Sequence, residues 1–140
     1  TSGVLLNRHV EAVAAAFSRV IVSLDSASEE GYRAIRGVAA LPVVEQGVAR
    51  LRARRPDLPI TARSTLHAMN YRELPQLIEH ARAMALDGIS FLAADLSSSA
   101  FGRRAAGGRP GLGLSPADVA EFSELVERVI VEHAPALIHL

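Results

Sequence analysis

Three short apolar runs constrain this chain more than any other feature. They are residues 19–24 (RVIVSL), 59–66 (PITARSTL) and 87–96 (DGISFLAADL). Each has the length of a strand, and between them apolar residues recur at helical spacing. Strands that alternate with helices at intervals of roughly 30 residues imply right-handed βαβ crossovers and a parallel sheet. The unbroken apolar character of RVIVSL predicts a strand buried on both faces. Two architectures satisfy the alternation: part of a (β/α) barrel, or an open doubly wound sheet. Both place ligands at the carboxyl ends of the strands.

The helices have recognisable ends. Asn7 is placed to cap a first helix whose inward face carries Val10, Val13, Ala14 and Phe17. Ser26-Ala27-Ser28-Glu29 fits a capping box, and Gly37 is a natural stop for the helix it opens. Pro42 suits the first turn of the next helix, where Val44, Gly47, Val48 and Leu51 line up and Pro56 ends the run. Asn70 with Glu73 reads as the cap of a helix striped by Leu74, Leu77, Ile78 and Ala81. Ser115-Pro116 opens a last amphipathic helix with Val119, Phe122, Val126, Val129 and Ile130. Residues 97–114, rich in Ser, Gly and Arg, read as a flexible loop. The chain thus divides into βα units over 1–96, that loop, and a C-terminal helix and tail over 115–140.

Composition removes several function classes. Fifteen acidic residues balance fifteen basic ones, so net charge draws the chain to neither nucleic acid nor an anionic membrane. Every basic residue is Arg, and without Lys there is no Schiff-base nucleophile. The absence of Cys rules out a cysteine-ligated zinc or iron–sulfur centre held by this chain's own residues. No apolar run approaches the roughly 20 residues that span a bilayer, and a cytoplasmic setting is expected. No phosphate loop, nucleophile elbow or dinucleotide glycine fingerprint follows a strand.

The strand ends remain. Ser23 and Asp25 stand where a ligand would be touched. A backbone-bonded hydroxyl and a helix-favouring carboxylate would stand there equally well. Arg63 lies inside a predicted buried strand, so its guanidinium calls for an anionic partner, either a neighbouring Asp or a ligand carboxylate. His67, near the same strand end, reads as structural or catalytic.

The order of these pieces resembles the radical S-adenosylmethionine (radical SAM) family. The residues that carry the resemblance are TSG at 1–3, VSLDSASEEGYRAIRGVAALPVVEQGVARLR at 22–52 and ITARSTLHAMNYRELPQLIEHARAMALDGISF at 60–91. In that family one strand ends in a Thr-Asn/Ser-Gly turn, and the next in Ser-Leu/Val-Asp before a helix closing on Arg-Gly. The following strand reads R-x-T-L…N…E-L, and the one after it I-S-F. Residues 100–140 resemble the extension of members that carry a SPASM-type cluster domain.

The resemblance implies a partial parallel (β/α) barrel, here truncated on its N-terminal side. A [4Fe-4S] cluster on a C-x-x-x-C-x-x-C loop would bind S-adenosylmethionine, whose reductive cleavage yields a radical that abstracts a substrate hydrogen. That loop and the Gly-Gly-Glu turn belong upstream of TSG and are not in this chain. By resemblance, Ser23 and Asp25 approach the ribose and methionine portions, and Arg36 pairs with the methionine carboxylate. Thr1 belongs to the turn, Phe91 and Leu92 stand where adenine packs, and Arg63 and His67 face a small-molecule or peptide substrate. The chain alone is then expected to be inactive and to bind neither cluster nor S-adenosylmethionine tightly. Its partner would be the remainder of its own barrel, or a second copy through an open sheet edge. Rival readings are half of another (β/α) barrel enzyme using Arg63 and His67, and a βα domain acting as a scaffold or interaction module.

Overall fold

The computed structural model describes residues 1–95 and 111–137, with side chains described as far as 133. Most of the stretch read as a flexible loop, and the tail at 138–140, lie outside the described residues. After a 3-10 turn at Leu6–Arg8 come α1 (Val10–Ala16), β1 (Val20–Ser23), α2 (Glu29–Arg36) and α3 (Leu41–Arg54). Then follow β2 (Ile60–Leu66), a 3-10 turn at Tyr71–Glu73, α4 (Leu74–Ala83), β3 (Gly88–Ala93) and α5 (Pro116–Leu137). The three strands form one parallel sheet in the order β1-β2-β3. Val20 lies opposite Ile60 and Ser23 opposite Arg63, while Thr61 lies opposite Gly88 and Leu66 opposite Ala93.

One face of this sheet holds the core. Val20 and Val22 of β1, and Ile60, Ala62, Ser64 and Leu66 of β2, are buried on it. Residues from α1 through α5 join them in a single cluster, among them Ala14, Tyr32, Val48, Leu77 and Val129. By strand alternation Ile21, Ser23, Thr61, Arg63, Thr65, Ser90 and Leu92 share the other face, and all are half-buried or exposed. RVIVSL is therefore buried on one face, not two as its composition suggests, because the helices of the core pack on one side. A doubly wound sheet carries helices on both faces. Among the described residues this open three-stranded sheet does not.

The predicted stripes of α3 and α4 pack as their spacing requires, whereas Phe17 of the first predicted stripe is 57% exposed. Val44, Gly47, Val48 and Leu51 are buried along α3, and Leu74, Leu77, Ile78 and Ala81 along α4. Pro42 sits in the first turn of α3, where its missing N–H removes no intrahelical bond. Gly37 ends α2 with φ 76°, the left-handed conformation that glycine adopts without penalty. Along α5, Leu125 and Val129 are buried, whereas Val119 and Ile130 are about half exposed. No helix among the described residues is long and apolar enough to cross a membrane.

Three caps differ from the sequence reading. Asn7 lies within the 3-10 turn rather than capping α1, whose N-cap position is His9, and its amide donates to Gln46 Oε1 (2.6 Å). Ser28, not Ser26, caps α2, its Oγ accepting from Gly31 N (3.1 Å). Glu29 reaches forward, accepting from Leu41 N at the start of α3 (2.9 Å). Asn70 makes no side-chain cap bond. In each case a partner remote in sequence holds the side chain. At the C-terminal helix the local reading survives: Ser115 Oγ accepts from Asp118 N, and Asp118 Oδ2 accepts from Ser115 N, a reciprocal cap.

Gly3 is required twice over. Its φ is 79°, and a Cβ there would stand 2.8 Å from Val44 Cγ1, a fully buried side chain with nowhere to go. Gly3→Ala is expected to lower stability by about 1–3 kcal/mol through left-handed strain and overpacking. A urea midpoint equal to that of the parent chain would contradict this.

Candidate functional site

β1 and β2 end side by side, and the loops that follow them are fastened together by buried polar bonds. Asn70, 1% exposed, does most of the fastening. Its Nδ2 donates to Asp25 O (2.9 Å) and Thr65 O (3.1 Å), and its Oδ1 accepts from His67 N (2.9 Å). Glu73 adds a second tie. Its Oε2 accepts from Ser26 Oγ (2.8 Å) and from Ala27 N (3.0 Å) in the loop after β1. Ser26 Oγ also accepts from Ser28 N, which sets the turn that presents the α2 cap. Gly31 leaves room for that hydroxyl, since a Cβ there would lie 2.2 Å from it.

Asp25 lies within this framework and is 5% exposed. One carboxylate oxygen accepts from Thr65 N (2.8 Å), and the other pairs with Arg36 Nη2 (2.6 Å). Arg36 reaches the pair from the last turn of α2, partly exposed, with its Nε buried and unpartnered among the described residues. Tyr32 is fully buried nearby. Burial pushes its hydroxyl pKa up, with Asp25 and Glu29 adding to the rise and Arg36 opposing it.

Seven of the eight residues singled out from the sequence gather at this end of the sheet or on its open face; Phe91, opposite the buried Ser64, packs against the core instead. Ser23 lies opposite Arg63 on the open face, and its N–H donates to Thr1 O (2.9 Å). Leu92 lies opposite Thr65, 48% exposed. Arg63 is exposed rather than buried, with Nε 3.3 Å from Ser90 Oγ. The sequence reading gave it a buried guanidinium in need of an anion. The uncovered face gives it solvent instead.

His67 is 7% exposed, and its Nδ1 accepts from Met69 N (3.2 Å), so its proton belongs on Nε2. Burial pushes its pKa down, with Asp25 opposing. The folded state therefore takes up its proton later than the unfolded chain does as pH falls. Through this group, stability declines below about pH 6.5 and improves again on returning above it.

A second polar cluster fastens α5, and nothing in the local sequence announced it. Tyr71 Oη donates to Asp118 Oδ1 (2.7 Å) and lies 2.8 Å from Glu121 Oε2. Arg72 grips Glu121 with both Nε (2.8 Å) and Nη2 (2.6 Å), and its guanidinium lies 4.4 Å from the Tyr71 ring centroid. The Ser115 hydroxyl first, then Tyr71, holds the Asp118 carboxyl well below its usual range, and Arg72 then Tyr71 hold Glu121 down. Both carboxylates thus support docking above their unfolded pKa near 4, and that support is lost as pH falls further. The edge-on contact of Phe122 with Tyr71, centroids 5.7 Å apart, is the reporter. Its ring NMR shifts should stay fixed from pH 7 to about 4.5 and drift toward coil values below pH 4. Shifts unchanged down to pH 2 would show that the carboxylates do not hold the helix.

No group of three or more His, Asp or Glu side chains among the described residues is arranged to hold a metal ion. What the strand ends offer is a guanidinium with spare donors, hydroxyls and one apolar side chain, around a polar sheet face. Compared with known proteins, the chain matches no family model, no curated protein and no solved structure.

Proposed function

We propose that this chain is part of a radical SAM enzyme and forms a wall of a partial (β/α) barrel against which S-adenosylmethionine and substrate lie. The observation that carries the reading is the polar second face of the sheet, running up to the Asp25–Arg36 pair. Parallel sheets are ordinarily covered on both faces, and their strands are apolar on both. Ser23, Thr61, Arg63, Thr65 and Ser90 suit a lumen that holds water and ligand better than a helix-packing surface. Sequential strand order with helices on one face also supports a sheet that curls toward a barrel.

The residues present fit one part of such a ligand. Arg36 is partly exposed beside its bond to Asp25, so its fork can donate to a ligand carboxylate while Asp25 holds its orientation. Ser23 would meet ribose hydroxyls, Leu92 would offer an apolar surface to adenine, and Arg63 and His67 would face the substrate. The cluster, when bound elsewhere in the enzyme, supplies the electron that cleaves S-adenosylmethionine. This chain, with no cysteine, supplies none of its thiolate ligands.

The reading frame upstream of Thr1 is the direct test. A C-x-x-x-C-x-x-C motif is expected roughly 70–90 residues before it, from the size of βα units. A frame without one overturns the reading. In the longer chain, Arg36→Lys keeps the charge beside Asp25 but loses the fork, and should weaken S-adenosylmethionine binding about tenfold.

A scaffold without a ligand is the second reading, favoured by one observation: both oxygens of Asp25 are already engaged within the chain. On that reading, Arg36→Lys changes no ligand affinity and the upstream motif is absent.

A further inference from the structure

We propose that the outer edge of β1 receives one extended strand, parallel to β1 and continuous with Thr1, whose inward side chains fill the groove beside α1. Thr1 itself is the evidence for direction and register. Its N donates to Ile21 O (2.8 Å), and its O accepts from Ser23 N (2.9 Å). Those two bonds bracket Val22 in the pattern of a parallel bridge, on the side of β1 away from β2. Val20 N and Leu24 N point the other way, to Pro59 O and Arg63 O of the β2 segment. By alternation, the next groups along the outer edge are Ile21 N–H and Arg19 C=O. A strand leading into Thr1 would meet both with the residue two positions before Thr1.

The groove lies where that residue's side chain would point. Thr1 is opposite Val22, so the residue two before it would be opposite Val20, on the helix-covered face. A groove of about 340 Å³ opens there, lined by Leu5, Leu6, Val13, Phe17 and Val20 among others. Leu5 and Phe17 are each 57% exposed, which leaves two large apolar side chains in water at one place. A β-branched or aliphatic residue entering the slot would cover them, while the residue just before Thr1 would stand on the open face beside Ile21.

A second copy of the chain is the weaker occupant. Two β1 edges related by a two-fold axis would pair antiparallel, and the parallel bridge of Thr1 already holds the Val22 level. The proposal deepens the partial-barrel component of the reading above by naming the partner strand and its register. It makes no use of S-adenosylmethionine, so either test can fail while the other stands.

The experiment adds a six-residue extension, Val-Thr-Val-Thr-Val-Thr in alternation, directly before Thr1 of the full 140-residue chain, so that Val stands at the second and fourth positions before Thr1. A control carries Pro at the second position, which removes the donor to Arg19 C=O. The extension should slow hydrogen exchange at the Ile21 amide roughly tenfold or more, and the proline control should reverse most of that. Exchange at Ile21 that ignores the extension overturns the proposal. So does protection that grows with protein concentration in the unextended chain, which would make a second copy the occupant.

Discussion

Asn70→Ala is expected to lower the unfolding free energy by about 3–5 kcal/mol. The side chain satisfies two backbone carbonyls and one N–H in a region where it is itself 1% exposed. Removing it strands those groups, at roughly 1–3 kcal/mol for each that water fails to reach. The magnitude decides between two roles. A helix cap replaced by Ala loses typically about 1 kcal/mol. A side chain tying the β1 and β2 ends together loses several times that. Urea unfolding of the single variant is enough to separate them, and a loss of 1 kcal/mol or less would return Asn70 to the capping role its sequence suggests. Asn70→Asp should be no rescue, because a carboxylate lacks the donors that Asp25 O and Thr65 O require.

Arg36→Ala is the second large effect, about 2–4 kcal/mol of destabilisation. Breaking a fully buried ion pair by removing one member costs roughly 3–5 kcal/mol, since a charge is left behind without compensation. Arg36 is 29% exposed on its side chain, so solvent screens part of the pair and the expectation is set lower. Asp25, at 7%, is the member left stranded. Asp25→Asn in the Arg36→Ala background should therefore recover part of the loss, since it removes the orphaned charge while keeping an oxygen for Thr65 N. A double-mutant cycle measures this directly. Strict additivity of the two single changes would mean that the pair contributes nothing to folding and that Arg36 is held there for some other reason.

Both predictions concern side chains that the sequence placed at the correct end of the sheet but assigned incompletely. Asn70 and Glu73 sit three apart before an apolar run, and that spacing reads as a cap whether or not a loop from another strand waits across from it. Ser26 and Ser28 both precede Glu29 and Glu30, and only the arrival of Glu73 against Ser26 leaves Ser28 as the cap of α2. Asp25 and Arg36 both qualified as ligand contacts, yet they meet each other. The Tyr71–Arg72 grip on Asp118 and Glu121 spans 46 to 50 residues, and no local period encodes it.

Determined by the sequence alone were the order of strands and helices, the parallel sheet that alternation enforces, the apolar stripes of α3 and α4, and the ends marked by Gly37, Pro42 and Ser115. These follow from backbone and side-chain preferences that act within a few residues, so a single segment suffices to read them. The tertiary structure alone decided which face of the sheet is covered, and with it the exposure of Arg63 and Leu92. It also decided which polar groups at the strand ends are consumed within the protein and which keep free donors. Coverage of a face depends on where all the helices pack together, and a buried donor takes whichever acceptor the fold brings within reach. Neither is a property of any one stretch of chain.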